Sequence, residues 1–166
     1  MRTILFFVTC GIFFSSCVSS LMKTPKDVGD KAFNIIKTFD NLSEEDYIKQ
    51  MVKLKDLKKI TGNKDIFSEN GIIELINSIT QEKMTKLLKV DKYFAAILED
   101  GKNNNIDWSQ VEFSKFEHVI KGNDGIKNMC KGKLYFNHKG KEYHLKIEAI
   151  NMGDYYEFWL FKKLRS

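Results

Sequence analysis

The stretch "GKLYFNHKGKEYHLKIEAINMGDYYEFWLFK", Gly132 to Lys162, decides the fold. It reads as three strands. "CKGKLYFN" turns through "HKGK" into "EYHLKIEAI", and "NMGD" then turns into "YYEFWLFKKL". Tyr143, Leu145, Ile147 and Ala149 alternate with Glu142, His144, Lys146 and Glu148, the period of a strand with one buried and one wet face. Both turns are short and contain glycine, so an antiparallel meander is the economical arrangement. In the last strand Tyr155, Trp159 and Phe161 oppose Tyr156, Phe158 and Leu160. Apolar residues on both faces predict a central strand, or one covered on both sides.

Working outward, "WSQVEFSKFEHVI" (108–120) shifts its alternation near Ser114, which predicts one long strand with a bulge, a device that lets a sheet curve. Before it the pattern is helical. Ala32, Ile35, Ile36 and Phe39 predict a helix over about 28–39. "SEED" (43–46) reads as a capping box opening a second helix that buries Tyr47, Met51 and Leu54 and runs toward Ile60. Ile72, Ile73 and Ile76 form a short stripe, and Met84 to Leu98 a longer one. Helices followed by an antiparallel sheet specify an α+β domain: N-terminal helices packed on a curved four-stranded antiparallel sheet.

Bulged strand, hairpin and order together resemble the NTF2-like, cystatin-like superfamily. "IDW" (106–108), "KGKEY" (139–143) and Gly153 to Tyr156 also resemble small uncharacterised lipoproteins of the Bacteroidetes group. The commonest ending there is G-K-W-Y; here Asp154 and Tyr155 stand in place of Lys and Trp. The resemblance implies a cone with a pocket between helices and sheet, and a candidate lining of Trp108, Phe116, His118, Tyr143, Tyr155 and Trp159.

The N-terminus bears on location. "ILFFVTCGIFF" (4–14) is an apolar run of 11 residues behind a single charge, Arg2. A membrane-spanning helix needs about 20 residues, so the run has the size of a signal-peptide core. "FSSC" (14–17) resembles the cleavage site of a bacterial lipoprotein, which implies a signal peptide at 1–16, a diacylglycerol on Cys17, a tether at 17–27 and a single domain at 28–166. An ordinary secretory peptide and a retained first strand are the other readings. No acidic residue follows Cys17 directly, so inner-membrane retention has no support from that position, and an outer-membrane anchor in the cell envelope is expected.

Removing 1–16 deletes Arg2 and no acid, lowering the formal charge from +5 to +4. It leaves Cys130 as the one thiol beside an acylated Cys17, so no disulfide framework is expected. Lysines are interleaved with acids, as in "KTPKDVGDK", which argues against nucleic acid as a partner. His118, His138 and His144 lack ligand spacing, and CxxC, HExxH and glycine-rich phosphate loops are missing, so neither metal nor cofactor is expected. His118 is the best acid–base candidate, with Asp91 and Glu99 on a helix that could face it, yet a histidine on an apolar strand face is more often a core or rim residue. The expected function is therefore a non-catalytic protein-interaction or scaffolding module at the membrane. Binding of a small apolar ligand in the helix–sheet pocket is the alternative, and a small hydrolase or isomerase a further one.

Overall fold

The computed structural model describes residues 21–123 and 125–166. The helices come first: α1 (Pro25–Ile36), α2 (Glu44–Lys49), α3 (Leu54–Ile60), α4 (Asn70–Ser78), α5 (Gln81–Leu88) and α6 (Val90–Asn103). A 3-10 turn at Trp108–Gln110 leads into β1 (Glu112–Asn123), β2 (Ile126–His138), β3 (Lys141–Asn151) and β4 (Tyr156–Arg165). The signal-peptide reading and Cys17 lie outside the described residues.

Local chemistry sets the helix boundaries in part. α1 starts at Pro25, three residues before the expected start at 28, because Thr24 and Asp27 cap it reciprocally: the Thr24 N–H donates to Asp27 Oδ2 at 2.7 Å and the Asp27 N–H to Thr24 Oγ1 at 3.3 Å. At Ser43 only half of the expected box forms. The Asp46 N–H donates to Ser43 Oγ, while the Asp46 carboxylate accepts from the Ser43 hydroxyl rather than from its backbone. The predicted helix from 44 to 60 breaks at residues 50–53. There the Val52 N–H donates to the Phe158 carbonyl at 2.7 Å, and Met51 makes a parallel bridge to Phe158. A bond to the sheet replaces a helical one. The stripe from Met84 to Leu98 likewise divides at Lys89, whose φ of 54° is left-handed.

The four strands form one antiparallel sheet in the order β1-β2-β3-β4. Gly140 and Gly153 take the positive φ that the two turns require. The bulge near Ser114 is present as a register shift between Phe113 and Lys115.

Two expectations are corrected. The sheet is open, with β1 and β4 at separate edges, and does not curve into a cone. The reason lies in where the irregularities fall: all are on pairings with β1 or β4, whereas β2 and β3 pair unbroken from Cys130–Ala149 to His138–Lys141. Bulges bend a sheet where they sit, and the central pair has none. β4 is also an edge strand rather than a central one. Its apolar residues are covered by helices, and its outer side is met by the bridges Met22–Tyr156 and Met51–Phe158.

Two cores result. Leu134, Phe136, Leu145, Ile147, Phe158 and Phe161 pack against Val28, Ala32 and Ile36 of α1, Tyr47 of α2 and Phe94 and Ile97 of α6. Burying each such side chain contributes roughly 1.5–3 kcal/mol. The second core joins Leu57, Ile76 and Met84 of α3, α4 and α5 to Met129 and Ile150. By alternation Met129 and Ile150 point away from Leu134 and Ile147, so α3–α5 cover one end of the opposite face. No other described element covers the rest of that face.

Candidate functional site

The sheet face left uncovered by the described elements is built from cross-strand rows fixed by the register. Glu117 pairs with Lys133, Lys133 with Lys146, and Lys146 with Lys162, putting three lysines side by side. Like charges directly opposite in a sheet repel. One is offset: Lys162 Nζ lies 2.9 Å from Glu148 Oε1, with both side chains partly buried. The next row holds Val119, Lys131 and Glu148, and a shallow groove of about 390 Å³ runs between the two rows. The third row holds Lys115, Tyr135, His144 and Arg165. Lys115 Nζ stands 4.6 Å from the Tyr135 ring centroid and Tyr135 lies 5.2 Å from His144. Burial, then Lys133, Arg165 and Lys146, hold the His144 imidazole below its ordinary pKa, so it is neutral at pH 7 beside a positive field.

The groove opens onto β1, which forms one edge of the sheet. Phe113, Val119 and Ile120 are 45%, 59% and 47% exposed, three large apolar side chains on one strand. Among the described residues no backbone bridge reaches the outer side of β1, in contrast to β4. An open strand edge is a template for further pairing.

No family model, curated protein or solved structure matches this chain. With the open sheet, that overturns the resemblance to the NTF2-like, cystatin-like superfamily and to the Bacteroidetes-group lipoproteins. The motifs that carried it, "IDW", "KGKEY" and Gly153 to Tyr156, are turns and core positions that many α+β sheets can share.

The six residues expected to line one pocket are dispersed. Trp108 and Tyr143 are buried on either side of Phe136, with ring centroids 5.7 and 5.8 Å from it. Phe116 and His118 stack at 5.6 Å, with His118 exposed on β1. Tyr155 and Trp159 pack against the second core. His118 borders the sheet groove, whereas Trp159 borders a separate, more enclosed cavity of about 200 Å³ walled by Ile72, Ile76, Met84, Leu88 and Met129. Helix α6 carries Glu99 exposed and Asp91 half-buried.

Titratable groups converge elsewhere, at Asp56, Lys59, Tyr155 and Glu157. Lys59 Nζ lies 2.7 Å from Asp56 Oδ1 and holds that carboxyl below its ordinary pKa, while burial and then Asp56 push Glu157 up. None of these four side chains borders either cavity. Cys130 is buried, and burial pushes its thiol up to about 11, which keeps it protonated at neutral pH. His138 is buried with the Asp107 N–H donating to its Nε2 at 3.3 Å. Among the described residues no three His, Cys, Asp or Glu side chains are grouped to hold a metal ion.

The residues that sequence reasoning missed are Val119, Lys121, Lys133 and Lys146. The first strand of a meander is an edge by topology, so Val119 and Lys121 carried a usable signal. The lysine row needs the cross-strand register.

Proposed function

We propose that this chain is a non-catalytic interaction module held at a bacterial envelope membrane through acylated Cys17. Its contact surface is the β1 edge with the adjoining basic sheet face. One observation carries the reading: among the described residues nothing pairs the outer edge of β1, which bears three exposed apolar side chains, whereas the β4 edge is met by the chain's own backbone at Met22 and Met51. Three exposed apolar side chains on an edge that no described residue pairs suit strand addition by a partner, in which the backbone supplies affinity and the side chains specificity. The anchor rests on "FSSC" (14–17).

The test uses the full chain in a bacterial host supplied with an alkyne fatty acid. Label and membrane association are expected for the wild type and lost in Cys17→Ala; an unlabelled wild type retaining Met1 would end the anchor reading. A photo-reactive residue at Val119 is expected to give a discrete adduct that the same residue at exposed Lys83 does not. Equal adducts, or none, at both positions would end the interaction reading.

The enclosed cavity favours a second reading, uptake of a small apolar ligand. Its walls are apolar, and a dry cavity of about 150 Å³ already admits benzene. Stabilisation of the chain by benzene or indole, abolished by Met129→Trp, is the expected result if that reading holds.

A further inference from the structure

We infer that the partner of the β1 edge is a second copy of this chain, paired antiparallel through residues 117–121. The inference rests on the interaction reading above and adds the partner's identity.

The regular part of β1 lies between its two register shifts, from Lys115 to Lys121. Two copies joined by a two-fold axis can pair there in only a few registers, and charge separates them. Centred on Val119, the pairing sets Val119 against Val119 and Glu117 against Lys121 twice, with Ile120 beside His118. Centred on Glu117, it sets Glu117 against itself. Centred on His118, it sets Lys115 against Lys121 twice. A pairing of Lys115 with Glu117 is also complementary, but it carries the ladder across the shift at Ser114, where regular bonding is interrupted. The Val119-centred register alone removes the most exposed apolar side chain of β1 from water, satisfies both charges and stays between the shifts. Lys115 Nζ already lies 2.6 Å from Glu117 Oε1, and a carboxylate with two oxygens can serve both lysines. The product is a continuous eight-stranded sheet with both lysine rows on one side.

The experiment is oxidative cross-linking of the full chain in the membranes of producing cells. Val119→Cys is expected to give a disulfide-linked dimer under mild oxidant; the wild type, with its native cysteines Cys10, Cys17 and Cys130, sets the baseline. Glu117→Cys alone should not exceed it, because residue 117 faces 121. In the Val119→Cys background, Glu117→Lys is expected to lower dimer yield on the order of tenfold, two attractive cross-strand pairs becoming repulsive. Adding Lys121→Glu to the same chain restores the yield. Absence of the Val119→Cys dimer, or failure of the charge exchange to restore it, overturns the inference. If the dimer is absent while the Val119 photo-adduct persists at another mass, the second copy is wrong and the interaction reading stands. If both are absent, both fall.

Discussion

The ring of Phe116 occupies the space that a side chain at Gly132 would need, and a Cβ built at Gly132 falls well inside van der Waals contact with ring atoms Cε2 and Cζ. From the other side, a Cβ at Gly29 of α1 would stand 2.6 Å from the same ring. Two glycines thus let α1 close onto the sheet over one aromatic side chain. Gly132→Ala is expected to destabilise by about 1–3 kcal/mol, the usual cost of overpacking. Part of the loss should disappear in a Phe116→Leu background, the remainder coming from the Glu117 carbonyl oxygen, 2.9 Å from the same Cβ. Urea unfolding of the four chains of this cycle measures the coupling, and additive losses would show that the ring does not set the requirement for glycine.

Tyr47 is fully buried, stacked on Phe94 at 4.2 Å, and among the described residues its hydroxyl is the buried side-chain polar group without a hydrogen-bond partner. Burial holds the phenol far above its ordinary pKa. Tyr47→Phe removes a desolvated group and keeps the ring, so stability should be unchanged or rise by up to ~1–3 kcal/mol. A loss of stability by thermal or urea unfolding would show that the hydroxyl is satisfied, the Phe161 backbone being the nearest candidate.

Cys130 contributes a pH dependence. Its thiol ionises at about 11 in the fold, against an unfolded value near 8.5. The unfolded chain therefore sheds the proton first, and the stabilisation present below about pH 8.5 is lost as pH rises toward 11. Cys130→Val should flatten the fall in stability between pH 8.5 and 10 relative to the wild type. Native Cys130 should also resist alkylation at pH 8 until denaturant is added; prompt labelling would contradict its burial.

His144 reports on the basic face. Its folded pKa is lowered by burial and by Lys133, Arg165 and Lys146. Its contribution is then complete above the unfolded value near 6.5 and is lost as pH falls through the folded one. Lys146→Gln should raise the His144 pKa, followed by NMR titration of the imidazole. An unchanged titration would mean that Lys146 itself exerts no field on the imidazole.

What the sequence makes legible here is local. The "HKGK" and "NMGD" turns, the faces of β3 and the bulge at Ser114 follow from glycine positions and period-two alternation over a few residues. The break at Met51 and Val52 was hidden, because a hydrogen bond to Phe158 outweighs a continuous helical stripe. The apolar residues on both faces of β4 signalled either a central strand or cover on both sides; the second holds, but its own residues do not encode that the cover comes from helices and Met22. For the site, alternation placed Phe116 and His118 on one side of β1, but it could not show that Trp108 and Tyr143 would be sealed against Phe136. The Lys133, Lys146 and Lys162 row exists only once three strands are in register.

The bridge between Met22 and Tyr156 has a mechanical consequence. It includes an interstrand hydrogen bond from the Tyr156 N–H to the Met22 carbonyl at 2.6 Å, beside a buried Met22 side chain. Met22 precedes α1 in the chain, so this bridge is the first described contact with the sheet behind Leu21. Under the proposed anchor at Cys17, a pull on the chain is expected to open this contact first and to leave the four strands paired.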